Sequence, residues 1–295
     1  MVVVGDRAIQ RAEVREFLAT RRAKLSPEQA GVPDYGGRRR VPGLRREEVA
    51  RLAGVSVDYY TRLEKGYLAG ASESVLEAIT RALQLDDVER AHLFDLARAA
   101  SGAGRAPRRR TPETVRPSVQ RILDSMVGTA AFCRNGRLDV LATNPLGRAL
   151  YAPLFDDESR PPNLARFVFL DPRSTDFYRQ WDRIALDAVG SLRAEAGRDP
   201  GDRELTDLVG ELSVRSEDFR ARWAGHDVRS YRTGNQPFHH PGVGDLDLAF
   251  DVLELPADPG QTIVAYTAEA GSPSEERLAR LAGAQRPGGR EPIAG

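Results

Sequence analysis

The segment Arg45 to Gly66, RREEVARLAGVSVDYYTRLEKG, constrains this chain more than any other, because it fixes two short helices and the corner between them. The first helix stops at Gly54, which relieves a tight turn. Ser56 then stands at the N-cap of the next helix, where its hydroxyl can accept a backbone N–H. Small Ala50 lets the helices approach, and Val55, Tyr60 and Leu63 close the angle between them, so Tyr60 is expected in the core.

The flanking pattern is also helical. Val14, Phe17 and Leu18 recur at helix spacing, as do Leu44, Val49 and Leu52, then Leu76, Ile79 and Leu83, then Leu93 and Leu96. Ser26 to Pro42, carrying Arg38 to Arg40, reads as an exposed loop. Helical periodicity gives way at Ser101 to Pro117, SGAGRAPRRRTPETVRP, to glycine, proline, serine and arginine, the composition of a linker. At 295 residues the chain has room for two domains, so the expected layout is a helical domain over 1–100, a linker over 101–117, a second domain over 118–270 and a C-terminal helix and tail over 271–295.

The stretch Arg45 to Gly66 resembles the Cro/repressor-like (XRE) helix-turn-helix family, whose five helices would cover about residues 7 to 100. Leu63-Glu64-Lys65-Gly66 matches that family's Leu-Glu-x-Gly ending. The resemblance implies double-stranded DNA as partner and a recognition helix from about Val57 to Lys65, with Val57, Asp58, Tyr59, Thr61 and Arg62 outward beside Ser56. Arg62 can donate twice to guanine, Asp58 can accept from cytosine N4, and Val57 can touch a thymine methyl. Arg45 and Arg46, opening the preceding helix, suit phosphates. Arg45 stands where the family often has a capping Ser or Thr, which weakens the cap and strengthens the phosphate assignment.

Charge agrees with a polyanion on the first half only. Residues 1–110 carry 21 basic and 15 acidic side chains, and the remainder 22 and 28, so a neutral chain is basic at one end and acidic at the other. The preference for arginine itself, with only Lys24 and Lys65 as lysines, reads as coding bias.

The second half changes period. Ala130 to Arg134 and Arg137 to Thr143 flank Asn135-Gly136, which predicts a hairpin with a two-residue type I′ turn. Asn144-Pro145 reads as N-cap and first residue of a helix through Leu146, Ala149 and Leu150. Leu246, Leu248, Phe250 and Val252 alternate with polar or small residues in a half-buried strand, and Thr262 to Thr267 supplies another. At least four strands are expected in one antiparallel sheet. Helical stretches carrying Phe177, Trp181, Ile184 and Ala188, then Leu205, Leu208, Val209 and Leu212, then Phe219 and Trp223, should cover one face. This order is that of a PAS-like sensory domain, which makes the fold class an all-α five-helix domain followed by an α+β PAS-like domain with an antiparallel sheet and helical insert.

Together, GLRREEVARLAGVS, YY and LEKG, then ATNPLGRALY, WAGHDV, HHPGVGDLDL and AYTAEAGSPSEERLARL, resemble the MmyB-like transcription regulators across nearly the whole chain. That resemblance implies a second domain holding a small lipophilic ligand, such as a fatty acid, with gene regulation as output. Phe132, Tyr151, Phe155, Phe167, Phe169, Tyr178, Trp181, Phe238 and Phe250 are the candidates to line its cavity.

No catalytic grouping competes with this reading. The sequence has no G-x-x-x-x-G-K-[ST] loop, H-E-x-x-H helix or G-x-S-x-G elbow, so no enzyme activity and no catalytic residue are expected. Cys133 is the one cysteine, which forbids an intrachain disulfide, and it reads as a small buried hydrophobe. His239 and His240 would face opposite ways on a strand, so neither a metal site nor a cofactor is expected. With no membrane-length apolar run, the expectation is a cytoplasmic homodimer that binds DNA and a small molecule without touching a membrane. The alternative is a helix-turn-helix that docks a protein partner and contacts DNA weakly.

Overall fold

A computed structural model describes residues 3–32, 43–101, 114–156, 161–225 and 232–284. Arg38 to Arg40, most of the expected linker and the His226-Asp227 pair lie outside the described residues. The chain forms two compact units, one of Met1–Arg108, Arg193–Glu211 and Arg220–Arg229, the other of Arg109–Leu192, Leu212–Phe219 and Ser230–Gly295.

The first unit contains the expected five helices: α1 (Val3–Lys24), α2 (Arg46–Ala53), α3 (Val57–Glu64), α4 (Glu73–Ala82) and α5 (Asp87–Ala100). Each inward stripe meets a neighbour, so Val14, Phe17, Leu18, Leu44, Val49, Tyr60, Leu63, Leu76, Ile79, Leu93 and Leu96 share one core. Leu52 departs from its expected set and lies 40% exposed, because it falls on the outer side of the short α2. Gly54 ends α2 at φ 66°, and Ser56 Oγ accepts from Tyr59 N at 3.1 Å to start α3. Asp86 and Glu89 cap α5 reciprocally, each carboxylate taking the other's backbone N–H.

The second unit is built on a five-stranded sheet of order β2-β1-β5-β4-β3, in which every neighbouring pair is antiparallel. Its strands are β1 (Ala130–Arg134), β2 (Val140–Thr143), β3 (Thr233–His240), β4 (Gly244–Glu254) and β5 (Thr262–Thr267). The helices after residue 110 are α6 (Pro117–Ser125), α7 (Pro145–Leu150), α8 (Leu164–Leu170), α9 (Ser174–Phe177), α10 (Trp181–Arg198), α11 (Arg203–Arg215), α12 (Glu217–Ala224) and α13 (Pro273–Ala284). The last turns of α10 and most of α11 count with the first unit.

Period-2 alternation splits the sheet into two buried faces. Ala131, Cys133 and Ile263 pack against Val119 and Leu123 of α6, whereas Phe132, Val264, Tyr266 and Phe250 look the other way into an aromatic core. The face opposite the aromatic core is covered by α6, a helix that the sequence reading did not anticipate and of which only Pro117 falls in the expected linker. Burial also raises the pKa of Cys133 to about 12, in keeping with an inert thiol.

Asn144 ties this unit together. Its Oδ1 accepts from the N–H groups of Ala131 and Gly147, and its Nδ2 donates to the carbonyls of Leu123, Met126 and Thr129. Gly147 faces β1 so closely that a Cβ would lie 2.4 Å from the Ala131 carbonyl. The ATNPLG sequence is thus an N-cap, a helix-opening proline and a required glycine in one turn of chain.

The hairpin corrects the expected turn. Leu138 N donates to Asn135 O and Asn135 N to Asp139 O, closing a three-residue loop in which Leu138, at φ 68°, takes the left-handed position. The side chain of Asn135 explains the change, since its Oδ1 accepts from the N–H groups of both Arg137 and Asp139. Strand β2 consequently begins at Val140.

Candidate DNA interface and ligand cavity

Helix α3 has two unlike faces. Tyr60 and Leu63 are sealed in the core, while Ser56, Val57, Asp58 and Arg62 are exposed, with Val57 at 46%. Thr61 is half-buried, and Tyr59 packs its ring partly against the core, which leaves less of it outward than the sequence implied. The hydroxyl of Ser56 is occupied by its capping bond. Arg45 and Arg46 are both exposed at the start of α2. Arg45 makes no side-chain cap; instead Glu48 reaches back to the Arg45 N–H at 2.6 Å, so the guanidinium stays outside the helix.

Below this surface lies a buried carboxylate. Glu64, 1% exposed at the end of α3, accepts from Arg22 Nη2 at 2.8 Å and from Arg46 Nε at 2.8 Å. Arg22 also donates to the Leu44 carbonyl. One anion thereby fixes α1, the start of α2 and α3 together, and Arg46 reaches the surface from an anchored Nε. Two residues on, Gly66 sits at φ 94° where a Cβ would come within 2.5 Å of the Arg11 carbonyl. The Leu-Glu-x-Gly ending is therefore core residue, charge anchor and close approach in sequence.

The second unit holds a cavity of about 60 Å³, space for a few waters, between the aromatic face of the sheet and the helices. Four of the expected residues line it: Phe132, Tyr151, Tyr178 and Phe250. The other five do not. Phe238, fully buried, stacks among Tyr151, Phe177, Tyr178 and Tyr266, and Phe167 packs on Phe177 and Tyr178. Phe169 lies between Trp181 and Phe219, Trp181 Nε1 donates to the Val168 carbonyl, and Phe155 carries the Arg148 guanidinium 4.6 Å from its ring centre. Phe238 and Phe167 are satisfied by other rings and fill core instead of lining space, while Phe155, Phe169 and Trp181 are half-buried away from the cavity.

The remaining wall is more polar than an aromatic count implies. The hydroxyls of Tyr151 and Tyr266 meet at 2.8 Å with Tyr178 alongside. Burial pushes all three phenols up, Tyr266 to about 12, so each remains a neutral hydrogen-bonding group. Arg183 reaches the sheet, donating to Gln236 Oε1 at 2.6 Å and the Asn235 carbonyl at 3.0 Å. The Arg134 guanidinium has no hydrogen-bond or ion-pair partner among the described residues, yet its charge is close enough to oppose the upward shifts of Tyr178 and Tyr266.

Comparison with known families now joins these two sites. Residues 115–281 match the family described as MmyB-like transcription regulator ligand binding domain, and residues 13–93 match a helix-turn-helix domain family. The chain belongs to the MmyB-like transcription regulators. No curated protein matches it. As an MmyB-like regulator it is a DNA-binding transcription regulator with a ligand-binding domain. Among the described residues, no helix of this regulator is long and apolar enough to cross a membrane, and no cluster of three potential metal ligands occurs.

Sequence reasoning missed Arg134, Leu138, Arg183, Asp187, Gln236 and Tyr266, all on the cavity wall of the regulator. A signal existed for two of them: Arg134 follows Phe132 by two residues and Gln236 precedes Phe238 by two, so each shares its strand face with a buried ring. His240 is structural. Its Nε2–H donates to the Ala149 carbonyl at 3.1 Å, its Nδ1 accepts from Gly242 N at 3.0 Å, and burial lowers its pKa. His239 faces the opposite way, paired with Asp245 at the surface.

Proposed function

We propose that this regulator is a cytoplasmic, sequence-specific homodimer of the XRE type, and that its cavity takes a small, largely lipophilic ligand with an acceptor or anionic head. The observation that carries the ligand reading is Arg134, a guanidinium without an ion-pair partner among the described residues, set beside three tyrosine hydroxyls on a wall of Phe132, Val264, Phe250 and Val252. Apolar walls take the body of such a molecule, and cation and hydroxyls take its head. A fatty acid has this chemistry. A ligand larger than a few waters enters by turning wall side chains, which makes occupancy a change of packing and not a filling of empty space. The DNA reading rests on the exposed row of Val57, Asp58 and Arg62 above a closed core face.

Binding to duplexes selected from a random library, measured with salt, tests the DNA half. Arg62→Ala should cost roughly 1–3 kcal/mol on the preferred site and relax its base preference, while Arg46→Ala should weaken all duplexes alike. Equal losses on selected and random DNA would remove the base-reading role from Arg62, and near-absent duplex binding would favour a protein-docking role. Native mass spectrometry of the intact chain, before and after delipidation, tests the ligand half. A chain that never carries a small molecule and binds no added octanoate would end that part of the proposal.

A further inference from the structure

Within the helix-turn-helix unit, the loop that follows α3 holds a cation that it does not itself encode. Tyr67 to Ala71, YLAGA, has no basic residue. Leu68 turns into the core at 1% exposed, and Tyr67 beside it stands outside at 44%. The Arg11 guanidinium of α1 lies over the Tyr67 ring, 4.6 Å from its centre. Two backbone features hold the pair there. Tyr67 N donates to the Arg62 carbonyl at 3.2 Å, which folds the loop back on the last turn of α3. Gly66 brings the same loop against the Arg11 backbone, where a Cβ would lie 2.5 Å from the carbonyl oxygen. Arg11 is exposed and, like Arg62 and Lys65 at the end of α3, has no acidic partner among the described residues. Arg45, Arg90 and Arg98 of this unit do meet carboxylates, those of Glu47, Glu77 and Asp95.

A phenol ring holds a guanidinium by its face and leaves the N–H donors at the edge unused. A carboxylate would have taken those donors and cancelled the charge. The ring thus keeps the cation in place and available, with part of the ordering of a long side chain already done. Its place matters as much as its charge. Helix α3 has eight residues, about 12 Å at 1.5 Å per residue, close to the roughly 12 Å width of a major groove. With Val57 and Asp58 of the first turn against base edges, the other end of the helix reaches the rim of the groove, where the phosphates run.

We propose that Arg11, seated on Tyr67, is a phosphate contact of the DNA interface, made from α1 at the C-terminal end of the recognition helix. This rests on the DNA reading of α3 and adds an anchoring point to those of Arg45 and Arg46. A phosphate oxygen accepts from the edge of the guanidinium while the ring keeps its face, so ring and cation act as one unit.

The test measures duplex binding by the full chain over a series of salt concentrations, on a duplex selected with the wild type and on random DNA. Arg11→Gln removes the charge and keeps the stem. It should weaken both duplexes alike, by about 5-fold or more near 0.1 M salt, and bring the slope of log affinity against log salt nearer zero by about 0.9 for each protomer bound. Arg11→Lys, which restores the charge, should restore the slope whatever the stability of Arg11→Gln. Tyr67→Leu should give a smaller loss with the slope retained, and the double variant should bind no more weakly than Arg11→Gln alone. Arg11→Gln affinity within twofold of the wild type, with the slope unchanged, overturns the proposal and leaves the DNA reading standing. A loss of affinity without a change of slope makes Arg11 a structural residue and overturns it as well. Losses that multiply in the double variant break the pair on which it depends. A wild type that binds no duplex removes the DNA reading of α3 and the proposal with it.

Discussion

In the helix-turn-helix unit, the element we propose to meet DNA is anchored by charge: Glu64 is buried between Arg22 and Arg46, and Arg21 pairs with Glu89 out of solvent. In the ligand-binding unit, the corresponding work falls to neutral groups, the five bonds of Asn144, the paired phenols of Tyr151 and Tyr266 and a stack of aromatic rings. The difference teaches how each surface tolerates its ligand. A buried ion pair gives fixed geometry to Arg46, which we propose meets a phosphate, whereas Asn144 and the paired phenols hold their surroundings with no charge of their own.

The strongest way to break this comparison is Glu64→Ala. It leaves half-buried Arg22 without its carboxylate, so the first unit should lose about 3 kcal/mol and duplex binding should collapse. Chemical denaturation, with near-ultraviolet dichroism for the aromatic core of the second unit, checks it. Loss of only a few tenths of a kcal/mol would show that Glu64 is not the anchor.

Asn144→Ala is the neutral counterpart. Two backbone N–H groups and three carbonyls lose their partner, for an expected cost of about 2–3 kcal/mol confined to the second unit. Hydrogen exchange should report faster opening around β1 and α7 with duplex affinity retained. Protection unchanged at Ala131 and Gly147 would contradict this.

The smallest effect separates the units by sign. Burial raises Glu13 in α1 to about 7, opposed by the nearby charge of Arg193, so the folded first unit holds a proton that the unfolded chain releases. Its contribution is complete below 4.5 and is lost as pH rises through 7. His240 is shifted down by burial, so its contribution to the second unit is present above 6.5 and is lost as pH falls through its folded value. Between pH 5 and 8 the two units should change in opposite directions, with Glu13→Gln flattening the first trend and His240→Asn the second. Melting curves that move together would refute the assignment.

The helix-turn-helix was legible because its signals are local: Gly54, Ser56 and Tyr60 each do in the fold what their type and place imply. The Asn135-Gly136 turn was not, because two bonds from the Asn135 side chain to the backbone select a different loop, and nothing in the dipeptide reveals them. The sheet's strands followed alternation, yet alternation says inward without saying against what. Phe238 and Phe167 proved to be filled core, while Arg134 and Gln236, polar residues on buried faces, were hidden by their own polarity. Only three-dimensional proximity brings a strand arginine and three phenols from separate elements to one wall.

Leu138 has a consequence for how such a receptor changes its preferences. It holds a left-handed backbone that costs a non-glycine residue about 1 kcal/mol, and its side chain, 2% exposed, takes up room on the cavity wall. Glycine at this position would release the backbone and widen the cavity in the same step, partly offsetting the burial it gives up. Ligand size can thus drift through one position outside the unit proposed to read DNA, so the molecule sensed and the sequence bound are free to evolve on separate clocks.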